Sequence, residues 1–171
     1  MPWRSLKSTD LSASFYNRGQ KKTVEKTTIL PASRDRVLEE LKKLETLQYI
    51  ARPYATFEPV LNTGNVWKTG VTSSYRFRLF GLIPFGTHHI HIIRMGDTGI
   101  SSMEGNEHVR VWNHEIYLTA LDDARTRYTD KVTIHAGWKT PIIWLWANAF
   151  YAHRQKRWAA LLQDQKEKNN G

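Results

Sequence analysis

The sequence predicts an α+β fold, with an antiparallel sheet of about seven strands curved around a long C-terminal helix. Three observations predict it. Val37, Leu38, Leu41 and Leu44 recur at helical spacing early in the chain. For roughly eighty residues after that the apolar pattern has period two, and from Pro141 it returns to helical spacing over about 25 residues.

Thr23 to Leu30 alternates and is rich in Thr, Val and Ile, which suits a first strand. Pro31-Ala32-Ser33 stops it, and Ser33 is placed to cap the helix that carries Val37 and Leu41. Glu39 and Lys43 fall one turn apart on its polar face. A second short helix is expected through Thr46 to Ala51, ended by Arg52-Pro53.

Ala55 to Leu61 reads as a short strand closed by the turn Asn62-Thr63-Gly64-Asn65. Thr69 to Phe80 alternates, with Val71, Ser73, Tyr75, Phe77 and Leu79 on one face. Gly81 to Gly86 reads as a connection, because its glycines and proline interrupt a strand. Strands follow at His88–Met95, Gly99–Met103, His108–Leu121 and Arg125–Ala136. Their close spacing calls for antiparallel hairpins, since parallel strands need long crossovers.

Thr140 and Pro141 then open the last helix as cap and first helical residue. It is expected to reach Gln165, or ~37 Å by helical rise. Its first half is apolar almost all round and its second half amphipathic. Residues 23–165 thus form one domain, preceded by a loosely ordered extension over 1–22 and followed by a frayed tail over 166–171.

Composition narrows the function. A hydrophobic fraction of 40% and a charged fraction of 24% are globular values. The chain has no cysteine, which excludes disulfides, thiolate metal sites and thiol nucleophiles and fits a reducing cytoplasm. The start has no secretory pattern, and the most apolar stretch, Pro141 to Ala152, is about half the ~20 residues of a membrane span.

A net charge of +9 gathers in part at Arg4, Lys7, Arg18, Lys21 and Lys22 and again at Arg154, Lys156 and Arg157. A solvated, solubilising surface is the main reading of this charge; attraction to phosphate or an anionic membrane is the minor one. His88, His89 and His91 suggest a metal at first sight, but along a strand His88 faces away from the other two. With no HExxH either, no metal is expected, and no dinucleotide fingerprint, phosphate loop or nucleophile elbow points to a cofactor or acyl-enzyme.

Several stretches carry a family resemblance: FGLIPFG followed by HHIHI, then VRVWNHEI, TRYTDKVTIHAGW and FYAHRQKRW. Across roughly Thr23 to Gln165 the chain resembles the helix-grip superfamily of START lipid-transfer domains, birch-pollen-type allergens and bacterial polyketide cyclases (SRPBCC proteins). The resemblance implies a pocket between sheet and long helix for an apolar or amphipathic small molecule. It does not imply a reaction, because members bind, transport, sense, cyclise or assist chaperones.

If Val71, Tyr75 and Phe77 face inward, the same face receives His88, Ile90 and Ile92 from the next strand. Trp112, His114 and Ile116 form a further inner face, and Tyr128, Asp130 and Val132 another. With Phe150 and Arg154 from the helix, these fourteen residues are the expected ligand contacts. Among them a His114–Asp130 pair, with His88 nearby, is the candidate for proton transfer. The simpler reading is that these groups satisfy one another's hydrogen bonds.

Glu104 sits in the apparent turn Glu104-Gly105-Asn106 and ranks below Asp130. Three functions therefore compete: a carrier or sensor of an apolar molecule, a cyclase- or aromatase-like enzyme, and an interaction protein whose basic surface binds nucleic acid, anionic lipid or a partner. A monomer or a homodimer suits each.

Overall fold

The computed structural model describes residues 20–60 and 64–169. The expected extension, apart from its last residues, and the turn residues Asn62 and Thr63 lie outside these. The strands are β1 (Lys22–Leu30), β2 (Ala55–Pro59), β3 (Thr72–Leu79), β4 (Ile83–Gly96), β5 (Gly99–Gly105), β6 (Val111–Asp122) and β7 (Arg125–His135). The helices are α1 (Arg34–Leu41), α2 (Leu44–Ala51) and α3 (Thr140–Asn169).

All seven strands join one antiparallel sheet in the order β1-β7-β6-β5-β4-β3-β2. The chain enters at one edge, crosses through α1 and α2 to the other, and returns by successive hairpins. Register shifts at Arg76/Arg78 and Ile92/Arg94 mark bulges, which bend strands and increase twist. Gly99, at the start of β5, has φ of 132°, and a Cβ there would come within 1.8 Å of the Ile116 carbonyl oxygen. Only glycine lets β5 approach β6 that closely.

Ser33 Oγ accepts from the Arg36 backbone N–H, as its capping position predicts. The Glu39–Lys43 pair does not form. Lys43 lies beyond α1 with extended backbone, so it reaches Glu40 at 2.9 Å while Lys42 takes Glu39 at 2.6 Å. Thr140 also differs from its expected role. Its hydroxyl accepts from the Ala136 N–H and donates to the Gly137 carbonyl, tying down a single 3₁₀ turn, Gly137–Lys139, between β7 and α3.

The expected connection over Gly81–Gly86 shrinks to Phe80–Leu82, because β4 already begins at Ile83. Pro84 is tolerated there for a simple reason. β4 pairs with β3 from Ile83 onward but with β5 only from His89, so the missing N–H at Pro84 faces an unpaired edge. The last helix continues past Gln165 to Asn169, where a frayed tail was expected; Gln163 bonds Glu167 one turn on, and Lys166 and Lys168 suit the negative end of the helix dipole. No helix among the described residues is long and apolar enough to cross a membrane.

Helix α3 does not lie centrally in the sheet. It rests on β1 and β7 and is flanked by α2. Trp144 Nε1 donates to the Thr23 carbonyl and Gln155 Nε2 to that of Lys26, pinning the helix over β1. Trp158, fully buried, lies against the Tyr128 ring of β7 with centroids 5.7 Å apart. Burying such aromatic area is the main term holding helix to sheet, at ~25 cal/mol per Å² of apolar surface. Toward β4 and β5 the helix stands off the sheet, and Trp146 reaches across to the Phe77 ring of β3.

Candidate functional site

The space left between helix and sheet is a cavity of about 260 Å³. Its floor is the inner face of the sheet: Phe77 and Leu79 from β3, His88, Ile90 and Ile92 from β4, Ile100, Ser102 and Glu104 from β5, and Trp112, His114 and Ile116 from β6. Ile143, Trp146, Phe150, Tyr151 and Arg154 of α3 form the opposite wall, with Leu47 and Ile50 of α2 at one side. Trp146 and Phe150 stack at 4.9 Å, and the Phe77 ring meets Phe85, His88 and Trp146, so the apolar wall is largely aromatic.

Nine of the fourteen expected contacts line the cavity: Phe77, His88, Ile90, Ile92, Trp112, His114, Ile116, Phe150 and Arg154. Five do not. Val71 precedes β3 and is 44% exposed, because Gly70, with φ of 79°, turns the chain before the alternation begins. Tyr75 is buried between the rings of Phe57 and Trp67, which fill the space in front of it. Tyr128, Asp130 and Val132 point inward as expected, but they lie on β7 beneath α3 and are sealed off from the hollow.

The polar corner is a connected set of side chains. Asp130 Oδ1 accepts from His114 Nε2 and from the Tyr128 hydroxyl, each at 2.8 Å, and Arg154 Nε stands 3.7 Å away. The other ring nitrogen of His114 lies 3.6 Å from Glu104 Oε1. Glu104 also accepts from Ser102 Oγ at 2.6 Å and from His88 Nε2 at 2.9 Å. His114 thus spans two carboxylates, which suits an imidazolium with both nitrogens protonated.

Burial raises the pKa of both acids, but their partners win. Arg154 and then His114 hold Asp130 below the ordinary carboxylate range, and His114 and His88 do the same, strongly, for Glu104. For His114 burial opposes the charge, yet the bond to Asp130 and the nearby Glu104 raise it above 6.5. Burial pushes the Tyr128 and Tyr151 hydroxyls upward, so both stay protonated. Two carboxylates therefore face one guanidinium and one imidazolium. Those four charges balance one another.

Glu104 was underrated because Gly105-Asn106 imitates a turn directly after Met103. In the structure β5 runs on to Gly105, and Ile100, Ser102 and Glu104 alternate onto the inner face. The signal was that i, i+2, i+4 spacing. Arg154, expected among the surface cations, is buried, and it meets Asp130 through Nε alone, not as a bidentate fork. Arg157 lies over the Tyr49 ring at 3.9 Å, so two members of the expected basic stretch on the helix are committed to the fold. His153 bonds the Arg52 carbonyl.

His89 and His91 turn to the outer face, where they bond Ser74 and Thr72. Among the described residues no three His, Asp or Glu side chains are grouped so as to hold a metal ion.

With the geometry in place, comparison supplies the family. Residues 28–162 match the family described as "Domain of unknown function (DUF8410)". The chain belongs to the DUF8410 family. A search of curated proteins finds no match to it.

Solved structures show what fold this DUF8410 domain has. A START superfamily protein from Mycobacterium smegmatis superposes with a TM-score of 0.64 at 14% identity, covering 84% of this chain and 98% of the other. The Zhui aromatase/cyclase from a Streptomyces species gives 0.59 at 15% identity, covering 89% and 97%. Norcoclaurine synthase from Thalictrum flavum, in complex with dopamine and hydroxybenzaldehyde, gives 0.60 at 10% identity, covering 96% and 95%. The DUF8410 domain therefore has the helix-grip fold of the SRPBCC/START-like superfamily, as its sequence motifs suggested. At these identities the likeness concerns the fold alone.

Proposed function

We propose that this DUF8410 domain binds a small apolar or amphipathic molecule between sheet and C-terminal helix, as a cytoplasmic carrier or sensor. The observation that carries the reading is the cavity itself. A space of about 260 Å³ with apolar, mostly aromatic walls and one polar corner has the make-up of a small-molecule site. It approaches the ~300 Å³ lower end of such sites, so the occupant is compact; a lipid with two acyl chains does not fit.

Gentle purification followed by solvent extraction and mass spectrometry tests this: one recurring apolar compound supports it. A compound that binds at a hundred times its Kd adds about 2.7 kcal/mol of stability, a rise of several degrees in melting temperature. A panel of compact apolar compounds with no such shift, and an empty extract, would remove the reading.

A second reading, a cyclase- or aromatase-like enzyme, is favoured by the run His88–Glu104–His114–Asp130, whose hydrogen-bonded and ion-paired links suit proton movement. In it His88, Glu104 and His114 border the cavity, and Asp130 holds His114 in place. Asp130→Asn and His114→Ala would then abolish turnover at a temperature where both variants are still folded, despite their lowered melting temperatures; simple unfolding of both would speak for a structural role. A third reading, phosphate or anionic-lipid binding by the basic surface, predicts retention on heparin at low salt that collapses near physiological salt.

A further inference from the structure

The polar corner has more to say about the occupant than the cavity's size does. Its cavity-facing carboxylate is engaged: Glu104 takes Ser102, His88 and the facing edge of His114, while Asp130, whose Oδ2 has no hydrogen-bond partner among the described residues, lies outside the cavity wall. Its donors are not. Tyr151 Oη accepts from Trp112 Nε1 at 3.2 Å, and among the described residues nothing takes the Tyr151 proton in return. Arg154 has five N–H donors; among the described residues its hydrogen bond to the Tyr128 hydroxyl is long at 3.3 Å, and its Nε, 3.7 Å from Asp130, has no hydrogen-bond partner.

Both side chains are buried and both line the hollow. They stand one helical turn apart on α3, the Arg154 guanidinium 5.5 Å from the Tyr151 ring. Buried donors are seldom left without acceptors. An occupant that supplies an acceptor oxygen completes this corner.

Charge then selects the kind of acceptor. Glu104 and Asp130 are already balanced by Arg154 and the His114 imidazolium, so an anionic head would bring an uncompensated charge into a mostly apolar hollow. An uncharged oxygen adds hydrogen bonds without that cost. A head that is mainly a donor, such as an amine, finds the carboxylate that borders the cavity already taken up.

Resting on the binding reading above, we propose that the occupant is an uncharged, acceptor-headed molecule on a compact apolar skeleton. Its oxygen is a ketone, ester or quinone carbonyl held by the Tyr151 hydroxyl and the Arg154 guanidinium. A cavity of about 260 Å³ suits a molecule on the scale of two fused rings with a short polar substituent.

The test uses the full chain and three probes on one skeleton: 2-acetylnaphthalene, 2-ethylnaphthalene and 2-naphthoate. Affinities are read by calorimetry, with quenching of the cavity tryptophans as a second signal. The ketone is expected to bind at least tenfold more tightly than the hydrocarbon, the effect of about one good buried hydrogen bond. Naphthoate is expected to bind no better than the hydrocarbon. Tyr151→Phe should collapse the ketone-to-hydrocarbon ratio toward one, and Arg154→Met should do the same. If Arg154→Met fails to fold, Tyr151→Phe alone decides the point.

Equal binding of ketone and hydrocarbon overturns this proposal and leaves the binding reading standing. Tightest binding by naphthoate, lost in Arg154→Met, overturns it in favour of an anionic head. If none of the three binds, the proposal fails together with the reading it rests on.

Discussion

The two halves of the sheet have the same alternation and opposite fates. On β1 and β7 the inner residues lie under α3: Val24, Tyr128, Val132 and Ile134 are almost completely buried, and Trp158 closes over Tyr128. On β4 and β5 the inner residues Ile90, Ile92 and Ile100 are nearly as well hidden from solvent, yet they face a void. Solvent exposure does not separate core from pocket wall here. What separates them is whether another side chain stands opposite, and that depends on where one helix is pinned.

Substituting the same residue type on the two sides gives the largest expected contrast. Ile134→Ala removes packed atoms beneath the helix and should cost about 4 kcal/mol in urea unfolding. Ile90→Ala only enlarges an existing hollow and should cost about 2 kcal/mol. Equal costs would mean that the hollow is not a hollow in solution.

The polar groups sharpen the comparison through pH. His114 joins the two halves, bonded to β7 through Asp130 and facing β5 through Glu104. Its folded pKa is raised, so its contribution is complete below its ordinary 6.5 and is lost as pH climbs through the folded value. Asp130 and Glu104 are lowered, so theirs is complete above the ordinary 3.8 and 4.5 and is lost as pH falls through the folded values. Melting temperature should therefore be highest between about pH 4.5 and 6.5 and decline on either side. In His114→Gln the decline above 6.5 should flatten; an unchanged slope would show that the imidazolium does not join the halves.

The smallest effect belongs to Val71. Exposed and outside the cavity, it should tolerate alanine within about 0.5 kcal/mol and with ligand affinity unaltered. A larger change in either would restore it to the wall.

The same contrast explains which features were legible in the sequence. Strand order, hairpins and the closing helix follow from periodicity, because period two and period 3.6 each report which side of an element is buried. Periodicity reports a side and not what covers it. Tyr128, Asp130 and Val132 were correctly turned inward but wrongly given to the cavity, since nothing in their spacing tells that Trp158 and Arg154 lie on top. Glu104 was obscured by a local signal, the Gly105-Asn106 pair, which tertiary pairing with β6 overrides at Glu104↔Trp112. Tyr151 belongs to a helix whose spacing reports only burial, and its single polar atom acquires meaning only once Trp112 and Arg154 are known to be its neighbours.

The electrical neutrality of the Glu104, His114, Asp130 and Arg154 quartet also constrains how this domain can change over evolutionary time. Losing any one member strands an opposite charge in a place water barely reaches, at about 3–5 kcal/mol for a buried pair broken on one side, whereas trading matched members together is far milder. The positions are thus epistatic: a lineage that abandons Arg154 should also surrender Asp130. Such a lineage would be expected to recognise a different chemical headgroup altogether.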